Sequence, residues 1–442
     1  MRIIYVIFIL INLNGCSFDK KSGIWKNEIK KSEEKKNLAT KDFESFKSSQ
    51  KTFYKIIPYD GRINLKVQEP VKNTGWIDVF YNYNNNFDNF YFKNSQNTAL
   101  KSRKITNHEV NDLTLFENNN LIVSNSKGDI IIYSTKDNLI KNKFNFYKKR
   151  NKNLKKILNY AIEDEIVYVS DNLGYIYAYS YILDKVLWAK NYKIPFRSNI
   201  KLIENKIIAA NQNNELYVLD KMTGNLIKLI PSEDTIVKKS FINNISLGPK
   251  SIYFLNTYGS LYSININNFK LNWLLNLNDQ IEQTINNIFT GTEAISYKDK
   301  VLVSSNNNFF ILDSISGSIL SRKNFSLLTK PVVSNNFIFL ITKNNLLISM
   351  NINNGNIIYS IDIDKKITKF TGLKKEKVSA RSLMLVNNNI YIFLKNSHLI
   401  KFDLTGEIEE ITRLPSNLKT NPFFVNSSLF YLDKRNKLLK IN

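Results

Sequence analysis

One seven-residue pattern returns eight times along this chain, and that recurrence restricts the fold more than any other feature. Its clearest copy is Gly174-Tyr-Ile-Tyr-Ala-Tyr-Ser180. The others begin at Gly128, Asn214, Gly259, Asn307, Asn345, Ser397 and Asn436. Successive copies lie 38 to 52 residues apart. A period of about 40–50 residues is the mark of a propeller or a solenoid, in which one supersecondary unit is stacked on copies of itself.

Each copy has the same internal order. A β-branched run comes first, as in residues 166–170 (IVYVS), 206–210 (KIIAA), 251–255 (SIYFL) and 389–393 (NIYIF). A short turn follows, then the seven-residue strand. Next comes a tight turn through Thr223-Gly224, Ser316-Gly317, Asn354-Gly355 or Thr405-Gly406, where glycine supplies the positive φ such turns need. A last strand ends the unit, and a weaker one precedes it, as in Lys330-Pro-Val-Val-Ser334 and Asn421-Pro-Phe-Phe-Val425. The apolar residues alternate with period two rather than 3.6, which excludes a helical solenoid. The expectation is an all-β chain, an eight-bladed β-propeller of four-stranded antiparallel blades. The eighth copy reaches Asn442 after only three strands, so an N-terminal strand should close the ring. The segment Thr74 to Tyr81 has the required strand character and is the expected closing strand.

A length of 442 residues would ordinarily suggest about three domains, but the repeat overrides that prior. With 43% hydrophobic residues, a large core can form. The single cysteine, Cys16, excludes an intrachain disulfide, a cysteine-based zinc site and an iron–sulfur cluster. His108 and His398 are the only histidines, and neither Gly-x-Ser-x-Gly nor His-Glu-x-x-His occurs. The chain is therefore expected not to be an enzyme, with no catalytic residues, cofactor or metal. Its net charge of +24 raises nucleic acid or an anionic membrane as a partner. The lysines, however, are scattered among many Asn and Ile, as an AT-rich coding bias would produce. The densest clusters, Lys148-Lys-Arg-Asn-Lys152 and Lys374-Lys-Glu-Lys377, fall in inter-blade loops. No nucleic-acid partner is expected.

The first residues address the compartment. Met1-Arg2 gives a positive start, and Ile3 to Leu13 is an apolar run too short to span a bilayer, which needs about 20 residues. It ends in Leu13-Asn14-Gly15-Cys16, which resembles the bacterial lipobox. The sole cysteine thus stands where acylation would occur, and several acyl chains at about 0.8 kcal/mol per buried CH₂ hold a protein firmly on a membrane. Residues 1–15 are expected to be a lipoprotein signal peptide and Cys16 the lipid attachment site. Ser17, rather than an acidic residue, follows the cysteine, which is compatible with the outer membrane. Residues 16–65 are Lys/Ser-rich and read as a mostly disordered tether. Residues 66–442 form the propeller, with 66–110 as its closing segment.

Val167 to Tyr179, continuing to Lys185-Val-Leu-Trp188, resembles the pyrroloquinoline-quinone-like (PQQ-like) propeller repeat, as does Leu216 to Asp220 followed by Thr223-Gly224. That resemblance implies a tryptophan docked between neighbouring blades. Here Trp188 and Trp273 hold the position, whereas Lys228, Ser321, Tyr359 and Glu410 replace it elsewhere. The lipobox, the tether and eight blades without an added domain resemble the β-propeller lipoproteins of the outer-membrane β-barrel assembly machinery. The segment from Trp76 to Asn82 is similar to that group's pre-blade segment.

The resemblance implies a lipid-anchored scaffold at the periplasmic face of the outer membrane in a Gram-negative bacterium. It would be a monomer within a complex, binding the periplasmic domains of the central barrel-forming subunit and, as a further implied partner, unfolded outer-membrane proteins. The contact would lie on the loops at Pro231 to Lys250 and Asn278 to Asp299. The group's Leu-x-Leu-Arg-Gly motif is absent from them. The contact residues expected here are Ile236, Val237 and Lys238, an apolar pair beside a charge. Two alternatives stand: another periplasmic PQQ-like propeller lipoprotein with a different envelope partner, and a quinoprotein dehydrogenase. The second is opposed by the lack of the paired cysteines that cover the quinone in those enzymes.

Overall fold

The repeat turns each strand into the next with a recurring local device. The first residue of the seven-residue pattern lies between the second and third strands of its blade. Gly128, Gly174, Asn214, Gly259, Asn345, Ser397 and Asn436 take φ values between 58° and 98° there. Glycine has no Cβ to oppose that conformation, and asparagine tolerates it better than most residues. Three residues upstream, the side-chain oxygens of Asn125, Asp171, Asn211, Asn256 and Asp433 accept hydrogen bonds from backbone N–H groups two and four residues on. These Asx turns fix register, so the alternating residues that follow fall on the intended faces.

The computed structural model describes residues 52–95, 97–147, 151–234, 241–278, 289–372 and 377–442. Eight antiparallel blades of four strands follow one another around a ring. Blade 1 spans residues 110–145, blade 2 158–191, blade 3 201–230 and blade 4 244–276. Blade 5 spans 295–323, blade 6 332–362 and blade 7 380–413. Blade 8 comprises Phe423–Val425, Ser428–Leu432 and Lys437–Ile441, with Thr98–Lys104 as its outermost strand. The ring is closed by an N-terminal strand, as the missing fourth strand required. That strand is Thr98–Lys104, however, and not Thr74 to Tyr81. An outermost strand is largely exposed, and Thr98–Lys104 is rich in lysine and arginine. The segment around Trp76 instead buries Trp76, Asp78 and Tyr81 against the inner strands.

Burial follows the blade order. The third strand of blade 1, Asp129–Ser134, is buried at every position, whereas its outermost strand, Leu139–Asn145, is mostly exposed. Adjacent blades interlock at the rim. Trp188 of blade 2 donates its indole N–H to the Lys221 carbonyl in the last turn of blade 3, at 3.0 Å. Trp273 of blade 4 does the same to Ser314 of blade 5, at 3.1 Å. The longest repeat interval is explained by an insertion between blades 6 and 7, the helix Ile363–Thr371. It is capped by Asp362, which accepts from the Lys365 N–H, and terminated by Gly372.

The compact body begins at Thr52, ahead of the boundary at residue 66 read from composition. Phe53 donates its N–H to the Asn324 carbonyl at 2.9 Å, and its ring meets Phe325 edge-on. Ile57 pairs antiparallel with Ser360 on the outermost strand of blade 6.

Candidate functional site at the ends of the central channel

Between Asn73 and Phe90 the chain makes one circuit of the ring's inner strands. The Asn426 N–H of blade 8 donates to the Asn73 carbonyl at 2.8 Å. Trp76 and Phe116 of blade 1 exchange both backbone bonds, at 2.7 and 2.8 Å, and the Ile162 N–H of blade 2 donates to the Ile77 carbonyl at 2.9 Å. On blade 3, Lys201 donates to Asp78 Oδ2 at 2.8 Å, the Asn82 carbonyl at 2.7 Å and Asn85 Oδ1 at 2.6 Å. The Leu247 N–H of blade 4 donates to the Tyr83 carbonyl, and the Ser296 N–H of blade 5 to that of Asn84. Asn86 imitates a strand residue against Val333 of blade 6, its amide accepting at 2.9 Å and donating at 2.8 Å. Asn89–Phe90 then add as a short parallel strand to blade 7. All eight inner strands are engaged in order by one hub.

The hub sits where the inner strands approach their first hairpins, as the contacts at Phe116, Leu247 and Val386 show. It is built around Trp76, whose ring lies 4.7 Å from Tyr81, 5.5 Å from Phe87, 5.8 Å from Phe90 and 5.7 Å from Phe423. Burial pushes the Lys201 ammonium down, and Asp78 pulls it back up. The pair is held because each remaining polar atom around it has a partner, which is the condition for keeping a charge inside a protein.

The opposite end of the channel is open and charged. There Arg381 of blade 7 lies 3.5 Å from Asp112 of blade 1 and donates to Asn421 Oδ1 at 2.9 Å and to the Lys419 carbonyl. Lys419 itself lies 3.6 Å from Asp112. Burial lowers the Arg381 guanidinium below its ordinary range, partly offset by Asp112.

The roots of the two loops expected to bind a partner lie at this end of the ring. Cys16, Ile236, Val237 and Lys238 lie outside the described residues, as do residues 279–288 of the second loop. The roots of both loops are described, and they are joined. Phe241 of the first packs edge-on against Phe289 of the second, with centroids 5.3 Å apart. On its other side the first loop is anchored by Glu233, whose carboxylate accepts from Tyr262, from Asn256 at 3.1 Å and from Ser260 at 3.2 Å. Burial acts to raise the Glu233 carboxyl, but these hydrogen bonds outweigh it and hold the group below the ordinary carboxylate range. Sequence reasoning missed Glu233 and the Phe241–Phe289 contact. The only signal was a lone phenylalanine in each of the two loops. Among the described residues no cluster of His, Cys, Asp or Glu could hold a metal ion.

Fold and repeat together define an eight-bladed propeller of the PQQ-like repeat class. Within that class the chain is similar to BamB. The family model described as outer membrane protein assembly factor BamB matches residues 143–361. Among solved structures, BamB from Moraxella catarrhalis superposes with a TM-score of 0.62 at 10% identity, covering 78% of this chain and 99% of that one. The computationally designed Ika8 protein gives 0.57 at 12% identity, over 78% and 98%. At such identities these structures speak to the fold. No curated protein matches the sequence.

Proposed function

We propose that this chain is a non-enzymatic scaffold of the machinery that assembles β-barrel proteins into the outer membrane. In this reading it is held on the periplasmic face by lipid at Cys16, and its first 15 residues are a cleaved signal peptide. It binds the periplasmic part of the central barrel subunit through the paired loops beside the channel mouth, with Ile236, Val237 and Lys238 at the contact. It assists insertion of unfolded barrel precursors and needs no cofactor. The observation that carries the reading is the match of residues 143–361 to the assembly-factor family, a family of non-catalytic scaffolds. The Phe241–Phe289 contact supports it, because it joins the roots of the two loops to which the partner contact is assigned.

The absence of the family's Leu-x-Leu-Arg-Gly motif favours a second reading, a lipid-anchored propeller serving a different envelope complex. Pull-down of the tagged, acylated chain from envelope membranes in mild detergent separates the two. Recovery of the central barrel subunit, lost on Lys238→Glu with Lys239→Glu, is the expected result. Recovery of another envelope complex in its place would overturn the assembly assignment and leave the fold untouched.

A further inference from the structure

The chain enters its compact body beside a short basic helix. The Phe53 carbonyl accepts from the Asn344 side-chain amide at 3.2 Å. The next residue, Asn345, accepts the Ile363 N–H on its carbonyl at 3.0 Å and donates from its amide to both oxygens of Asp364, at 3.2 Å. One turn of blade 6 thus holds both the start of the body and the start of the helix Ile363–Thr371. The helix buries Ile363 and Asp364 and leaves Lys365, Lys369 and Phe370 exposed, Phe370 by 51%. Lys365 lies 3.8 Å from the capping Asp362, and Lys369 has no ion pair among the described residues.

The surrounding turns are basic in the same sector. Between their second and third strands, blades 6, 7, 8 and 1 expose Lys343, Lys395, the pair Lys434-Arg435, and Lys127. None of these five forms an ion pair among the described residues. The corresponding turns of blades 2 to 5, residues 172–174, 211–215, 256–259 and 305–308, hold no lysine or arginine. A coding bias toward lysine acts on every repeat alike and does not sort cations into four consecutive blades. Single exposed apolar residues are ordinary on protein surfaces. Phe370 differs in its company: cations on its own helix, cations on the flanking turns, and the point where the chain from Cys16 arrives.

We propose that the propeller body itself contacts an anionic lipid bilayer around blades 6 and 7. Phe370 enters the headgroup region, and Lys343, Lys365, Lys369 and Lys395 face the lipid phosphates. Aromatic side chains favour that boundary, and each Lys or Arg near an anionic surface strengthens binding by about fivefold. A soluble polyanion would match the lysines but would give Phe370 nothing to enter. The contact goes beyond the assembly role, and it rests on the proposed lipid anchor only to bring the chain to a membrane.

The test places an environment-sensitive fluorophore beside the aromatic ring, through Thr371→Cys in the full chain. Met222→Cys is the control, since Met222 is 67% exposed but lies on the turn between the third and fourth strands of blade 3, at the other end of the strands. An acylated Cys16 has no free thiol, so mass spectrometry should find one label per chain. Two labels would show that the anchor is missing, and Cys16→Ser would then keep the helix label unique. Vesicles of phosphatidylcholine with phosphatidylglycerol should shift the label at 371 to the blue and expose it to nitroxide-lipid quenching. Vesicles of phosphatidylcholine alone should do neither, and the label at 222 should not respond. Lys365→Glu with Lys369→Glu should lower the ratio of inserted to free label by at least about tenfold. Phe370→Ser should lower it several-fold. The proposal is overturned if the label at 371 responds no more than that at 222, responds equally without anionic lipid, or is unmoved by both variants. A response to soluble polyphosphate as large as that to vesicles would assign the surface to a soluble polyanion and overturn it as well.

Discussion

The rim and the hub of this ring are held by opposite means. At the rim, one contact is repeated between neighbours. The residue at the tryptophan position of one blade packs on the turn glycine of the next, as Trp188 does on Gly224, Trp273 on Gly317, Ser321 on Gly355 and Tyr359 on Gly406. Where blade 3 carries Lys228 at that position, the facing turn of blade 4 has Phe269 rather than glycine. Each such contact joins two blades, and the loss of one leaves the others in place. At the hub nothing repeats. Eight blades are tied by eight different contacts made by a single segment, and the ion pair between Lys201 and Asp78 has no second copy. A periodic structure can drift from its consensus at the rim, as the replacement of tryptophan shows. A single-copy segment has no such reserve.

The largest expected effect therefore lies at the hub. Lys201→Met removes the cation and leaves Asp78, 5% exposed, buried without its partner. Removing one member of a buried pair costs about 3–5 kcal/mol. Urea unfolding followed by tryptophan fluorescence should show that loss. The double variant Lys201→Met with Asp78→Leu leaves no buried charge and should recover a substantial part of it. If the double variant is no better than the single, the hub is not held by this pair and the contrast with the rim fails.

A smaller effect is expected at the rim. A methyl group at Gly224 would lie 2.4 Å from the Trp188 ring, in a backbone with φ of 69°. Gly224→Ala should cost about 2–3 kcal/mol, the sum of a strained backbone and a displaced ring. Gly61 is the internal control, because its φ is 77° but nothing lies within 4 Å of the added methyl. Gly61→Ala should cost only about 1 kcal/mol. The difference in unfolding midpoint between the two variants isolates the blade-to-blade contact, and equal costs would show that the tryptophan yields freely.

The same contrast explains what could be read in the sequence. The blades were legible because each is decided within some 40 residues by two-residue alternation and a positive-φ turn, and the pattern is written eight times. The helix inserted between Asn345 and Ser397 was not read from the sequence, where that interval was only the longest of the repeat spacings. The closing strand was legible as a need but not as a place. Thr98–Lys104 looks like charged surface, whereas the segment from Thr74 to Tyr81 looks like a strand, and only the ring shows that a buried segment belongs at the centre. The run Asn84-Asn-Asn86 was indistinguishable from compositional bias. Yet Asn85 is fully buried and its amide donates to the carbonyls of Ile245 and Ala294, at 3.1 and 2.9 Å. Those partners lie more than 150 residues away, beyond any local signal.

The smallest effect separates the hub from the loops at the other mouth. The folded state holds Glu233 below its ordinary carboxyl value of 4.5, chiefly through Tyr262, Asn256 and Ser260 working against burial. A depressed carboxyl contributes stability that is present above its unfolded pKa and is lost as pH falls through the folded one. The root of the first loop should therefore loosen below about pH 4.5, while the Trp76 hub holds. Hydrogen exchange of residues 231–234 and 241–243, compared with that of residues 76–90 between pH 5.5 and 3.5, reads the two regions in one experiment. Glu233→Gln keeps the shape but does not titrate, and it should flatten the pH response of the loop root. If the loop root of the variant still loosens on acidification, the anchor is another group, and the independence of loop and hub would have to be argued from different contacts.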